Sequence, residues 1–209
     1  MTTRWLRHAR GVLLALFACV QLVGCTPLLI GGAVVGGTMV ANDRRSAATQ
    51  LEDQLIESKA ASRIHELLGE RGRVTVTSYN RLVLLTGNVA TGSDKAAVEP
   101  AVARVDAVRA VVNELVVAGS PSLSTSSNDT LLSAQVKASL VGANGLYPNT
   151  IKVVTERGVV YLLGRVTEQE ATRASNLARG VTGVNKVVRV FEILTEAELA
   201  KIQPDATAR

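Results

Sequence analysis

The chain has 209 residues, 47% hydrophobic, 3% aromatic and 20% charged, a balance that suits one ordinary domain or two small ones and argues against disorder. Its formal charge of +5 overstates its basicity, because Arg4, Arg7 and Arg10 lie in an N-terminal stretch with the character of an export signal, and without them 20 Lys and Arg face 18 acids. So weak a field with so few aromatics argues against nucleic acid as a partner, and the one Cys and one His left beyond that stretch build neither a metal site nor an intrachain disulfide.

Met1 to Arg10 carries three arginines and no acid, and Gly11 to Val20 is almost wholly apolar, as in the charged and hydrophobic regions of a secretory signal, here residues 1–24. Leu22-Val23-Gly24-Cys25 resembles the lipobox of bacterial lipoproteins, which implies cleavage before Cys25 once its thiol is diacylated. Two or three acyl chains, at about 0.8 kcal/mol per buried methylene, anchor firmly where one does not. Thr26, rather than Asp, follows the cysteine, and by the same resemblance this implies a lipid anchor in the outer membrane with the chain facing the periplasm. Residues 25–52 read as the tether. Leu28 to Ala41 is uncharged and rich in glycine, which suits a flexible, partly membrane-immersed spacer; a transmembrane helix or a helix pair through Gly32 and Gly36 is the alternative. Asp43-Arg44-Arg45 ends it, and these arginines either touch lipid headgroups or mark the exit into water.

Asp53 to Ala118 and Asp129 to Leu194 form an internal repeat, 66 residues in each copy. Each copy opens with an amphipathic helix, through Ile56, Ala60 and Ile64 or through Leu132, Val136 and Leu140, all spaced by four. A hairpin follows: Val74–Thr77 and Leu82–Val89 around a turn at Asn80-Arg81, then Ile151–Thr155 and Val159–Val166 around Glu156-Arg157-Gly158. Gly87 and Gly164 hold the same place inside the second strand and read as structural, marking a bulge or a close backbone approach. Helices over Asp94–Val105 and Glu168–Val181 come next, Thr91 with Asp94 and Thr167 with Glu170 having capping-box spacing. Turns at Asp106-Ala107 and Thr182-Gly183 lead into last strands over Val108–Val117 and Val184–Leu194. The fold class is therefore α+β: two tandem αββαβ units, each a small sheet packed with two helices, with a right-handed crossover to the last strand. The Ser-rich residues 119–128 read as a linker that permits either limited motion or direct packing of the two units. Residues 195–209 form a tail with a short helix through Glu196–Ile202, to which no function is assigned.

Each repeat resembles the BON domain. The resemblance rests on Gly158-Val159-Val160-Tyr161-Leu162-Leu163-Gly164-Arg165-Val166, on the alanines Ala171, Ala174 and Ala178, and on Val181-Thr182-Gly183-Val184. The first repeat departs from the pattern, with Arg81 where Gly158 stands and Ala107 at the place of Gly183. With the lipobox added, the whole chain is similar to outer-membrane lipoproteins built of two BON domains. That resemblance implies a non-enzymatic role in envelope integrity, in which the second domain recognises anionic phospholipid and links to division sites or to outer-membrane protein assembly; it implies no cofactor.

Charge bears on this independently. The first repeat has eight Lys and Arg against eight acids, the second eight against five, and an anionic surface favours each close cation by about 1 kcal/mol. Leu131, beside the core stripe of its helix, and Lys137 are candidate phospholipid contacts; Leu55 holds the equivalent site in the first repeat, so a packing role for both leucines is the alternative. Leu146 and Tyr147, in the loop Val141 to Tyr147, are further candidates, or else cover the core. Gly158 and Gly183 read as turn glycines. His65 stands beside Arg63 and Glu66 as a solvated side chain, and Glu168 and Glu170 as helix-start charges, so no acid, base or nucleophile is matched for catalysis. An adaptor that docks an envelope protein, with lipid contact limited to the anchor, is the alternative function.

Overall fold

A computed structural model describes residues 43–119, 123–141 and 143–202. The signal segment, Cys25 and the Gly-rich spacer lie outside the described residues.

The first repeat runs α1 (Ala47–Leu68), β1 (Gly72–Tyr79), β2 (Leu82–Val89), α2 (Gly92–Ala103), β3 (Ala110–Asn113) and β4 (Val116–Val117). The second runs α3 (Leu123–Val141), β5 (Ile151–Glu156), β6 (Val159–Val166), α4 (Glu168–Arg179) and β7 (Lys186–Ile193), and the tail carries α5 (Glu196–Ile202). The architecture is α+β with one sheet per repeat. In each sheet the middle strand pairs antiparallel with its hairpin partner and parallel with the strand after the crossover helix, giving the orders β1-β2-β3 and β5-β6-β7. Ser46 caps α1 by accepting from Thr49 N–H, Thr91 caps α2 by accepting from Asp94 N–H, and at α4 Thr167 and Glu170 close a full capping box.

Two differences from the sequence reading go beyond a residue or two at an element's end. The helix α3 begins at Leu123, so residues 123–128 belong to it and not to a linker; serines suit helix starts as well as loops. The strand expected over Val108–Val117 is broken between β3 and β4. Leu115 is fully buried in the break, its N–H held by Asn113 Oδ1 at 3.3 Å, so burial of one leucine overrides strand regularity.

Three apolar clusters follow from the two-residue period of the strands. Val83, Leu85 and Val89 of β2 pack with Ile56, Ala60, Ile64 and Leu68 of α1 and with Val98 and Val102 of α2. Val160, Leu162 and Val166 of β6 do the same with Val136 and Leu140 of α3 and with Ala171, Ala174 and Ala178 of α4. The alternate residues meet in a third cluster, where Tyr79 and Leu84 pack on Tyr161, Leu163 and Val190. The two sheets therefore pack face to face, with the helices on the outer faces, and the described residues form one compact unit. A sheet buried on both sides requires an unbroken apolar middle strand, which is the reason for the runs Leu82–Leu85 and Val159–Leu163.

Gly87 and Gly164 stand where neighbouring backbone leaves no room for a side chain. A Cβ at Gly87, whose φ is +110°, would overlap the carbonyl oxygen of Arg73, and one at Gly164 would overlap that of Thr150.

Candidate functional site

Each hairpin turn is tied to the helix before it by an aspartate. Asn80 and Arg81, at φ 51° and 67°, form a two-residue turn whose left-handed backbone aims both N–H groups inward; Asp53 accepts from them at 2.8 Å each. Arg157 and Gly158, at φ 52° and 73°, repeat this with Asp129, at 2.7 and 2.8 Å. Asp53 carries more, accepting from Ser78 Oγ at 2.7 Å and from Arg45 at 2.8 Å. Burial raises the pKa of the Asp53 carboxyl, but the bonds from Ser78, Arg81, Arg45 and Asn80 outweigh it and leave the group below its ordinary value.

A second group of polar contacts joins the repeats. Glu192 of β7 accepts from Asn80 and Arg109 of the first repeat, both at 2.7 Å, and from Arg165 at 3.2 Å. Although burial opposes ionisation, these partners hold its carboxyl below the usual range. Tyr79 donates to the carbonyl of Thr150 at 3.2 Å, and Lys152 pairs with Glu57 at 3.1 Å.

The arginines ahead of α1 belong to this joint, which corrects the reading of them as headgroup contacts or as the exit into water. Arg44 is 2% exposed and makes a two-pronged ion pair with Glu170, 2.7 Å on each arm, with a further 2.7 Å bond to the carbonyl of Arg165. Burial raises the pKa of Glu170, yet Arg44 and the N–H of Thr167 bring it below the ordinary value. Arg45 turns the other way, to Asp43 and Asp53, with its guanidinium carbon 3.9 Å from the centre of the Tyr79 ring. Burial pushes the Tyr79 hydroxyl up to about 12. Residues 43–46 thus strap the start of α1 to the second repeat.

On the outer face of α3, Leu131 is 63% exposed and stands clear of the stripe Leu132, Val136 and Leu140. Ala134, Ala138 and Val141, spaced from it by three and four, are exposed on the same face, and Lys137 is exposed one turn before Val141. Tyr147 is 40% exposed, whereas Leu146 is 7% exposed and packs in the core of the second repeat. The expectation that Leu146 contacts lipid is corrected accordingly: the loop turns at Asn144-Gly145 and returns the leucine under α3. Between α3 and α4 runs an open groove of about 830 Å³ lined by Ser139, Thr172, Arg173, Asn176, Leu177 and Val181. The first repeat has its own exposed pair, Leu51 and Leu55, on α1.

Gly158 and Gly183 occupy left-handed turns at φ 73° and 96°. His65 is exposed on α1. Among the described residues no cluster of His, Cys, Asp or Glu is built to hold a metal ion, and no helix is long and apolar enough to cross a membrane.

Sequence reasoning assigned no contact to Asp53, Asp129 or Glu192, and it read Arg44 and Glu170 without their pairing. The first two had a signal, an aspartate three residues before the first core residue of both helices. The pairing of Arg44 with Glu170 and the contacts of Glu192 with Asn80 and Arg109 had none, because those partners lie more than 80 residues apart.

Two αββαβ units joined back to back through their sheets define the class, and the family comparison agrees: the BON domain matches residues 52–119 and 128–195. The chain belongs to the BON-domain family and is a two-BON protein of the DolP type. It is 35% identical over 179 residues to the outer membrane lipoprotein DolP of Haemophilus influenzae, covering 85% of this chain and 92% of that one. It is also 32% identical over 151 residues to the 21 kDa hemolysin of Actinobacillus pleuropneumoniae, covering 71% of this chain and 78% of that one. This likeness along most of the length supports the expectation of an outer-membrane lipoprotein.

Proposed function

We propose that the chain is exported, acylated at Cys25 and held at the periplasmic face of the outer membrane, where its second BON domain binds anionic phospholipid and maintains envelope integrity without catalysing a reaction. The observation that carries this reading is the exposure of Leu131 on an uncharged helix face, within the repeat that has the excess of cations. A leucine that inserts among headgroups gains about 1.5–3 kcal/mol from burial, and Lys137 adds attraction to anionic lipid.

Flotation of the chain from Asn42 onward, with vesicles of neutral lipid and of neutral plus anionic lipid across a salt series, tests it. Binding is expected to require anionic lipid and to weaken as salt screens the charges. Failure to float with either vesicle overturns the reading.

A second reading is favoured by Leu51 and Leu55. Sheets packed face to face set the outer faces of α1 and α3 in opposite directions, so the α1 leucines face away from any bilayer that α3 lies on. They suit docking of an envelope protein of the assembly or division machinery. A crosslinked partner that is lost on Leu55→Glu and kept on Leu131→Glu supports this adaptor role.

A further inference from the structure

The described chain begins at the strap, two residues after an apolar spacer that ends at Ala41. If the spacer lies in the anchoring bilayer, the strap lies at its surface, and whichever part of the body is fixed beside the strap is held there too. Arg45 stacks on Tyr79 at 3.9 Å, the Tyr79 hydroxyl donates to Thr150 O at 3.2 Å, and Thr150 Oγ1 donates to Tyr147 O at 2.7 Å. Arg44 meanwhile grips β6 and α4 at Arg165 and Glu170. Both arms of the strap therefore lead to one end of the second repeat, the end that carries the loop between α3 and β5.

That end has the chemistry of a membrane interface. Val141 is 64% exposed at the last turn of α3, Tyr147 presents an aromatic ring with a polar tip, and the exposed Arg173 donates to the carbonyl of Asn144 in the same loop. We propose that the strap sets this rim, Val141 and Tyr147 with Arg173, against the bilayer in which the chain is anchored, so that Arg44 is a positioning residue and Tyr147 an interfacial anchor. The inference rests on the lipid-anchored reading above and adds to it the part of the second repeat that touches the membrane first. The outer stripe of α3, from Leu131 to Val141, then meets the surface from this end.

The test uses the acylated full chain reconstituted in vesicles of phosphatidylethanolamine and phosphatidylglycerol with brominated acyl chains. The sequence's single tryptophan, Trp5, lies in the cleaved leader, so Tyr147→Trp or Leu131→Trp supplies the only indole. Emission from position 147 is expected to fall about twofold on bromination, as for an interfacial aromatic. Adding Arg44→Gln is expected to abolish that quenching, and Arg44→Lys to restore about half of it, with circular dichroism melts showing both proteins folded. Quenching at position 131 without quenching at 147 leaves the lipid-binding reading standing and overturns this placement. Quenching at 147 that Arg44→Gln leaves unchanged overturns the role of the strap. If Arg44→Gln does not fold, quenching at 147 in the parent decides the placement and Arg44→Lys, with about half the effect from its single-point contact, decides the strap.

Discussion

At two turns the repeats solve one backbone problem with different residues. The first repeat holds Arg81 at φ 67° and Ala107 at φ 66°, where the second has Gly158 at 73° and Gly183 at 96°. Side chains in left-handed backbone are strained where glycine is not, yet the first repeat keeps the turns. At the hairpin, Asp53 accepts from Ser78 and Arg45 as well as from both turn N–H groups, a firmer grip than Asp129 gives its turn. The second repeat places glycine at these two positions, though Arg157 beside Gly158 is still left-handed at φ 52°, and its surface carries a cationic excess and the exposed Leu131. Two copies of one unit thus came to carry different duties, the first supporting the joint and the strap, the second presenting the face proposed for lipid.

The contrast breaks most severely at the strand glycines. Gly87→Ala sets a methyl against the Arg73 carbonyl in left-handed backbone and is expected to cost about 3 kcal/mol in urea unfolding, whereas Gly164→Ala, with the clash alone, costs about 2 kcal/mol. Equal costs would mean that φ at Gly87 contributes nothing.

Next come the aspartate clamps. Asp53→Ala is expected to lose about 3 kcal/mol and Asp129→Ala about 2 kcal/mol, since only the first also strands Ser78 and Arg45. The pH dependence has a definite sign. The folded pKa of Asp53 lies below the unfolded value, so its stabilisation is complete above the unfolded pKa and is lost as pH falls through the folded one. Stability should drop below about pH 4, and Asp53→Asn should flatten that drop; an unaltered acid limb would assign it to Glu170 and Glu192, which are shifted the same way.

Leu131→Glu sharpens the functional side of the comparison. It is expected to weaken binding to anionic vesicles about tenfold, the loss of one inserted leucine, and to leave the melting temperature unchanged, while Leu55→Glu leaves vesicle binding intact. Folded Leu131→Glu protein with the parent's affinity removes α3 from the contact.

The smallest effect tests the strained turn itself. Ala107→Gly relieves a left-handed alanine at the cost of a freer unfolded chain, and is expected to stabilise by about 0.5 kcal/mol, read as a small rise in melting temperature. Gly183→Ala should move it the other way.

Much of the fold was legible. Stripes spaced by four at Ile56, Ala60 and Ile64, strand alternation, and capping spacing at Thr167 and Glu170 are local signals, and the 66-residue repeat multiplied them. Leu131 was legible only as a choice between core and surface, because a residue at the margin of an apolar stripe is assigned by what packs beside it. Leu146 fell on the core side for the same reason.

The sequence by itself determined the apolar N-terminal stretch ending at a cysteine that resembles a lipidation site, the two αββαβ units and the excess of cations in the second. These rest on neighbours in the chain, where side-chain period, caps and charge counts act directly. Only the tertiary structure decided that the sheets pack on each other, that Glu192 and the strap lock the joint, and that Arg44 is buried against Glu170. The contacts that decide those features join residues more than 70 positions apart, and an arginine's burial depends on whether a distant carboxylate is folded against it.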